Sequence, residues 1–387
     1  MLGVSQQTKD LWRLAEGSAW GYYNYKEAKR CVDYGAAINA SNVFGKTALH
    51  LAAVEGNTDA VRFLLNEGAR LRMKDCEGKT PLHYAAERKE GRQLISCALI
   101  RAGAAVDVVD DDGCAPLHNF VKNNQKNVLE YLLKDRFLSR HIKINVDVKD
   151  SDGMTALHYA AKVGNKRVCS LLLGAGADGN AKDENGMTAM HYAAKCKNQE
   201  IAYLLMDRGA SVKKKDNKGK TALHYAAKEG NEMVIEELLK KKASVLVNVK
   251  DTNGMTALHY ASRGGHEGVV ALLLNVTTRK GYPVGQDGIN IKNKDGMTAL
   301  MFATEGGYWR IVRKLLVWEA RVNVQDSDGW SALHHALGTI VDSGGDSVNL
   351  IRIVAELKKF GANVELKNND GETPYDFRVQ RSQRDGR

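Results

Sequence analysis

The chain of 387 residues contains four prolines and lacks any long apolar run. Proline breaks helices, so its scarcity favours a helical protein. No apolar stretch approaches the ~18 residues that a membrane-spanning helix needs. The N-terminal segment MLGVSQQTKDLWRL also lacks the basic stretch and continuous apolar core of a secretory signal. These absences predict a soluble, helical protein that does not insert into membranes.

Cysteine is sparse, and no two cysteines form a C-x-x-C pair. Such pairs and regular spacings mark zinc sites and disulfide frameworks, and neither is indicated here. Scattered thiols are typical of a reducing compartment, so we expect a cytoplasmic or nuclear protein. The six cysteines are Cys31, Cys76, Cys97, Cys114, Cys169 and Cys196.

Catalytic and phosphate-binding motifs are also missing. The sequence has no G-x-x-x-x-G-K-[ST], no G-x-G-x-x-G after a predicted strand, no H-E-x-x-H and no G-x-S-x-G. The tripeptide GKT at Gly45, Gly78 and Gly219 belongs to a repeated motif and has no phosphate-loop glycine upstream. We therefore expect no enzymatic activity, no cofactor and no metal.

What the sequence does contain is one motif, Gly-x-Thr-Ala-Leu-His, repeated along most of its length. Consecutive motif glycines are 33, 35, 40, 33, 33, 35, 42, 33 and 42 residues apart. With a period near 33 and a T-P-L-H-x-A core, the chain resembles the ankyrin-repeat family from about Asp10 to Phe377. The resemblance implies an all-α repeat solenoid of helix–turn–helix units joined by β-hairpin loops. The motif glycines are Gly45, Gly78, Gly113, Gly153, Gly186, Gly219, Gly254, Gly296, Gly329 and Gly371.

The copy from Asp150 to Lys182 shows how each repeat is expected to fold. Gly153 tolerates the positive φ of a turn, and the hydroxyl of Thr155 can cap the first helix. Gly164 ends that helix. The apolar stripe over 168–173 predicts the second helix.

Histidine recurs at the start of the first helix in most repeats. The family resemblance implies that each histidine hydrogen-bonds the hairpin to the helix, and a catalytic or metal-binding histidine would instead be singular or clustered. The tyrosines that often follow stand where the family usually has leucine, and we interpret them as mostly packing residues. The histidines are His50, His83, His118, His158, His191, His224 and His259, and the tyrosines are Tyr84, Tyr159, Tyr192, Tyr225 and Tyr260.

Regularity fails at both ends of the chain and at three insertions. Residues 1–41 are predicted to form a degenerate N-terminal capping repeat, because terminal repeats must face water. Residues 42–367 form the array of nine repeats, and 368–387 a partial repeat with a basic tail. The insertions lie near 135–145, 277–290 and 339–348, and they represent either binding loops or tolerated length variation. The second is expected to be a loop, and the third to lie between the two helices of the repeat from Gly329.

Partner-binding residues are expected where the repeat does not dictate the residue type. In the family, the position after the motif glycine faces the inner groove, and from Gly153 onward it is mostly methionine. Methionine suits adaptable binding surfaces, so these side chains would form an exposed apolar ladder; alternatively, they pack on the neighbouring hairpin. The ladder residues are Met154, Met187, Met255, Met297 and Trp330.

A row of cations follows the paired alanines of consecutive repeats. The net charge of +10 would steer an acidic partner toward this row, although charged runs also occur as ordinary solvated surface. Acidic hairpin tips flank the row and favour a carboxylate-bearing peptide over a nucleic-acid duplex, which needs a broad positive face. The cations are Lys162, Lys195, Lys228 and Arg263, with lysine runs at 213–215 and 240–242, and the acidic tips include Asp110, Asp112, Asp150, Asp152 and Asp326.

These observations favour a non-enzymatic module or scaffold that holds a protein partner, an acidic or extended peptide, in its concave groove. The alternative is the sensor segment of a larger protein that binds a small anionic or nucleotide-like ligand. That alternative rests on basic groove residues and on the insertions near Arg279 and Asp342. Nucleic-acid binding rests on net charge alone and is not expected, and a monomer is favoured.

Overall fold

The computed structural model describes residues 4–17, 20–87, 93–134, 144–240, 246–278, 286–342 and 348–376. Within these ranges the chain forms twenty-one α-helices and no strand longer than an isolated bridge. It divides into two compact units, Met1–Glu184 and Asn185–Arg387, which we call unit 1 and unit 2.

Unit 1 contains ten helices in the described ranges. The first two fall within the predicted capping repeat, whose capping role stays a prediction. The helices are α1 Gln6–Ala15, α2 Tyr22–Asp33, α3 Ala48–Glu55, α4 Thr58–Asn66, α5 Pro81–Glu87, α6 Gln93–Arg101, α7 Pro116–Lys122, α8 Lys126–Lys134, α9 Ala156–Val163 and α10 Lys166–Gly174.

Unit 2 contains eleven helices in the described ranges, again mostly in pairs. They are α11 Ala189–Lys195, α12 Gln199–Asp207, α13 Ala222–Lys228, α14 Glu232–Lys240, α15 Ala257–Arg263, α16 Glu267–Thr278, α17 Gln286–Ile289, α18 Ala299–Glu305, α19 Trp309–Val317, α20 Ala332–Asp342 and α21 Val348–Lys359.

The pairs stack in chain order within each unit, as a repeat array requires. In unit 1 the first helices α3, α5, α7 and α9 pack successively on one another, and so do the second helices α4, α6, α8 and α10. In unit 2 the first helices α11, α13, α15, α18 and α20 form the corresponding row. The paired alanines of the motif are almost fully buried between the first helices. The predicted all-α repeat fold is confirmed.

The motif position requires glycine for two reasons, its positive φ and the close approach of the next hairpin. Gly186 has φ +73°, and a Cβ there would lie 2.8 Å from the backbone nitrogen of Asn217 in the next hairpin. That approach allows the Asn217 amide to donate a 2.9 Å hydrogen bond to the carbonyl of Asn185. Successive hairpins are joined in this way, so the glycine fixes the spacing between repeats.

The recurring histidines hold hairpin and helix together, as expected. His191 Nδ1 accepts a 3.0 Å hydrogen bond from the Thr188 amide, and its Nε2 lies 3.1 Å from the Lys220 carbonyl of the next repeat. His50, His83 and His118 make the same pair of contacts in unit 1. These rings are buried. The role implied for them is confirmed.

The insertions fall largely outside the described residues. At the second insertion, Thr277 and Thr278 end helix α16 and residues 286–289 form α17, so the expectation of a loop throughout was wrong there. The third insertion, predicted to lie between two helices, begins inside α20. The basic tail beyond Asp376 and the residues Lys241, Lys242 and Arg279 also lie outside the described ranges.

Candidate functional site: the inner faces of the two units

One face of each unit brings together the residue after the motif glycine and the last residue of the first helix. In unit 1, Lys79 follows a motif glycine, and its Nζ lies 2.9 Å from the carboxylate of Glu87, the last residue of α5. Lys122, the last residue of α7, places its Nζ 3.5 Å from the sulfur of Cys114. We call this surface the inner face of each unit.

Beneath the inner face lies a repeated tyrosine–aspartate pair. The hydroxyl of Tyr84 donates to Asp75 Oδ2 at 2.5 Å, and Tyr225 donates to Asp216 at 2.7 Å. The other aspartate oxygen accepts backbone amides of the hairpin turn, as Asp75 Oδ1 does from Lys79. The tyrosines, interpreted from the sequence as mostly packing residues, have a further role, because the hydroxyl ties the helix to its own hairpin. The partners are always nine residues apart, a spacing that the sequence displays.

Three ladder methionines are buried. Met154, Met187 and Met255 expose 5%, 7% and 4% of their surface. The sulfur of Met187 lies 3.9 Å from the hydroxyl of Tyr225, and the sulfur of Met255 lies 3.5 Å from the side-chain nitrogen of Asn293, each in the following repeat. The expectation of exposure was therefore wrong for these three, and Met187 and Met255 pack on the following repeat.

The last two ladder residues remain partly accessible. Met297 and Trp330 are half-buried on unit 2. The ring of Trp330 packs against that of His335, with centroids 5.3 Å apart and planes at 61°. Unit 2 thus offers apolar contact area at this end of its inner face, but not along its whole length.

Three predicted cations lie in a row on unit 2. Lys195, Lys228 and Arg263 are the last residues of α11, α13 and α15, which pack side by side. All three are exposed, and none forms an ion pair with another described residue. Arg263 lies over the ring of Phe302 at 5.7 Å. Lys162 occupies the matching region of α9 in unit 1 and is also exposed.

A fourth cation, Lys220, reinforces the row. Its Nζ lies 4.7 Å from the centroid of the Tyr260 ring, a cation–π geometry. Burial lowers the pKa of Lys220, and the nearby charge of Lys228 lowers it further, against the opposing carboxylates of Asp251 and Asp216. The repulsion from Lys228 places both cations in one positive region. The sequence showed Lys220 at the motif position but gave no reason to group it with the row.

Several of the aspartates that were predicted to form acidic hairpin tips have buried carboxylates. The side chains of Asp150 and Asp326 are 5% and 6% exposed, and Asp110 is 7% exposed. Each accepts backbone amides of its own turn. The outer acidic charge therefore comes from neighbours such as Asp112 and Asp152, which are exposed.

The repeat from Gly329 replaces the tyrosine of the pair with histidine. Burial alone would lower the pKa of His335, but hydrogen bonds to Asp326 and Glu305 outweigh it and raise the pKa to about 9. Near neutral pH this ring is a buried imidazolium between two carboxylates. Its ring packs against Trp330.

The described residues also lack two kinds of feature that would bear on function. Among the described residues, no helix has the length and apolarity to cross a bilayer. In the same ranges, no three or more histidine, cysteine or acidic side chains are grouped as a metal site would require. All six cysteines are free.

Comparison with known families gives matches across most of the chain. Residues 18–96, 89–183, 136–216 and 209–282 match a family profile described as ankyrin repeats in three copies. Residues 288–336 match a second profile, ankyrin repeats in many copies.

Curated proteins resemble the chain over single segments. Tyrosine-protein kinase Shark of Drosophila melanogaster is 36% identical over 99 residues, 25% of this chain and 10% of the kinase. Inversin of Canis lupus familiaris is 34% identical over 100 residues, 26% of this chain and 9% of inversin. The p105 subunit of nuclear factor NF-kappa-B of Gallus gallus is 30% identical over 113 residues, 28% of this chain and 11% of the subunit. The matched segments thus span about a tenth of each relative.

Proposed function

Because the chain belongs to the ankyrin-repeat family, whose repeats are protein-interaction modules without general catalytic function, we propose that it is a non-enzymatic scaffold. Its partner carries an acidic, extended segment, and the segment binds the inner face of unit 2. The six free cysteines support a reducing compartment, the cytoplasm or the nucleus.

The observation that carries this proposal is the row formed by Lys195, Lys228 and Arg263. Surface cations are usually paired or scattered, but these three end neighbouring helices and have no ion-pair partner among the described residues. Their helix ends are also where the backbone carbonyls carry partial negative charge, so the row is locally stabilised in the absence of a ligand. A segment with carboxylates spaced along it would meet one cation per repeat.

The ladder residues supply the apolar part of the contact at one end of the row. Met297 and Trp330 remain partly accessible, and tryptophan is a frequent anchor of binding energy. Glu305 occupies the cation position of its repeat and is exposed. The row therefore ends at Arg263, and the bound segment should place its acidic part near α11–α15 and an apolar residue near Trp330.

The buried methionines change the role that the ladder can have. Met154, Met187 and Met255 are buried, so they are not proposed as contact residues. Lys162 lies in unit 1 and is proposed only as a secondary contact. The alternative of an anionic small-molecule sensor rests on basic groove residues and on the insertions near Arg279 and Asp342, which lie partly outside the described ranges, and it stays a prediction.

A random peptide library displayed on phage tests this proposal. It is selected on the wild-type chain and on the triple variant Lys195→Glu, Lys228→Glu, Arg263→Glu. The control is Arg208→Glu, Lys214→Glu, Arg313→Glu, which makes the same charge change at three exposed residues of unit 2 outside the row. Each protein's melting temperature is measured first, and changes within about a degree or two are expected for exposed positions.

The wild-type chain and the control should enrich peptides rich in aspartate and glutamate, and synthetic copies should lose at least about tenfold in affinity to the row variant, as expected for three removed charge pairs. Acidic peptides that bind all three proteins equally, or the absence of any acidic enrichment, would contradict the proposal.

A further inference from the structure

The inner face of unit 1 contains a cavity of about 270 Å³. This is much larger than the ~30 Å³ that one water molecule occupies in the liquid. It opens beside Cys114, whereas the flanking repeats carry Lys79 and Met154 after the motif glycine. The cysteine side chain is shorter than lysine or methionine, so it leaves open the space that the longer side chains occupy in the flanking repeats.

A second departure from the repeat lies in the same cavity. Asn119 stands where Tyr84 and Tyr159 stand in the neighbouring repeats, nine residues after the hairpin aspartate. The side-chain oxygen of Asn119 accepts the thiol of Cys114 at 3.4 Å. Its amide makes no hydrogen bond to Asp110 within the described residues.

Asp110 is consequently left with an unused acceptor. Its Oδ1 accepts the backbone amide of Cys114 at 2.7 Å, but its Oδ2 has no donor among the described residues. In the repeats on either side, the matching oxygen of Asp75 and of Asp150 accepts a tyrosine hydroxyl at 2.5 Å. Asp110 is 7% exposed and lines the cavity. The free oxygen therefore faces the water of the cavity, and a donor from another molecule can take the place of that water.

The charge of the lining indicates which donor fits. Two lysines line the cavity and both are engaged, Lys79 with Glu77 and Glu87 and Lys122 with Asp150. The lining carboxylates outnumber them and leave the cavity with net negative charge; they belong to Glu87, Asp110, Asp112, Asp150 and Asp152.

A bare metal ion is the poorer candidate, since no described acidic residues are grouped closely enough to hold one. A guanidinium or an ammonium group can instead donate several hydrogen bonds at once.

We propose that this cavity receives the arginine or lysine side chain of an extended protein segment. The cationic group donates to Asp110 Oδ2, in the place of the missing tyrosine hydroxyl, and its charge is balanced by Asp112 and Asp152 at the rim. The site belongs to unit 1 and takes a cation, so it is independent of the acidic segment proposed for unit 2.

The variant Asn119→Tyr tests the proposal without weakening the fold. It restores the residue that the adjacent repeats carry, supplies Asp110 with a hydroxyl and occupies the cavity. We expect its melting temperature to equal or exceed that of the wild-type chain. A second variant, Asp112→Asn with Asp152→Asn, removes rim charge from exposed positions, and Asp111→Asn is the matched control because it is exposed and does not line the cavity.

The probe is the phage-displayed random peptide library, selected on the wild-type chain and counter-selected on Asn119→Tyr. Peptides retained by this scheme should share one arginine or lysine. Replacing that residue with alanine, or using either cavity variant, should lower the affinity of the synthetic peptide about tenfold or more, as loss of a hydrogen bond to a charged group does. The Asp111→Asn control and the unit 2 row variant should leave the affinity unchanged.

Three results would overturn the inference. They are retained peptides without a shared basic residue, basic peptides that bind Asn119→Tyr as tightly as the wild-type chain, and a selection that retains no peptide. Failure of the acidic selection on unit 2 would not change any of these outcomes, so the two proposals can be separated.

Discussion

His335 Nε2 lies 2.8 Å from Asp326 Oδ2, in the position that a tyrosine hydroxyl takes in the more regular repeats. The other ring nitrogen lies 3.3 Å from Glu305. An uncharged tyrosine hydroxyl bonded to a carboxylate is thus replaced here by a buried ion pair between imidazolium and carboxylate. The exchange makes the stability of this repeat depend on pH above about 6.5.

The folded-state pKa of His335 is about 9, against an ordinary value of 6.5. Because the folded state holds the proton more tightly, the stabilisation is complete below pH 6.5 and is lost as pH rises through 9. We expect the wild-type free energy of unfolding to fall by about 2–3 kcal/mol over this window. His335→Tyr should remove that slope, as urea denaturation at pH 6, 7.5 and 9 would show. Parallel pH profiles for the two proteins would contradict the charged pair.

The capping histidines predict the opposite dependence. Burial, outweighing hydrogen bonds to Ile291 and Met297, lowers the pKa of His259 to about 4. Its contribution is therefore present above pH 6.5 and lost as pH falls through 4. His259→Ala should cost about 1–3 kcal/mol at pH 7.5, because buried partners lose their hydrogen bonds, and should reduce the loss of stability on acidification. The control His266→Ala breaks only a bond to the Lys228 carbonyl near the surface.

These two histidines show what the sequence could and could not predict. His259 belongs to the repeated motif, and the motif alone was enough to predict its role. His335 stands in the tyrosine column, and its partner becomes visible only when the aspartate nine residues earlier is recognised. The same nine-residue spacing identifies Asn119 as the residue that stands where a tyrosine would otherwise pair with Asp110. The residues that follow the repeat motif were predictable from the sequence. The residues that depart from it, His335 and Asn119, were predictable only once the tyrosine–aspartate pair was known.

Side-chain burial on the hairpins could not be predicted from spacing. Met187 and Lys220 occupy the same motif position, yet Met187 is buried while Lys220 is half-buried. The difference depends on whether the flexible side chain turns beneath the tyrosine of the next repeat, which a one-dimensional pattern does not specify. The cation row was predictable because it lies at helix ends that project from the stack.

Burial of Met187 has a direct consequence for mutation. Met187→Glu should lower the free energy of unfolding by about 3 kcal/mol or more, since it removes a buried apolar side chain and buries an unpaired charge. Lys195→Glu, eight residues away on the exposed helix end, should change it by less than about 0.5 kcal/mol. Urea denaturation of the two variants measures both values. Equal, small effects would show that Met187 is a surface residue after all.

Two glycines in unit 2 distinguish the cost of backbone strain from the cost of a steric clash when glycine is replaced. Gly186 and Gly209 both have positive φ, +73° and +83°, but only at Gly186 would a Cβ meet backbone, 2.8 Å from the Asn217 nitrogen. Gly209→Ala should therefore cost about 1 kcal/mol from conformation alone. Gly186→Ala should cost clearly more, because the adjoining hairpin must shift. Thermal unfolding of the two variants checks this order, and equal costs would refute the requirement for close hairpin packing.

The central claim is that the cation row of unit 2 engages an acidic partner. Its most direct test is affinity capture from the native cell with three tagged chains, followed by mass spectrometry and by titration of each captured protein in purified form. The chains are the wild type, the row variant Lys195→Glu, Lys228→Glu, Arg263→Glu, and the control Arg208→Glu, Lys214→Glu, Arg313→Glu. We expect a protein with an acidic segment to bind the wild type and the control and to lose at least about tenfold in affinity for the row variant. A partner that tolerates the row variant but loses affinity for the control would place binding elsewhere on the chain and contradict the account.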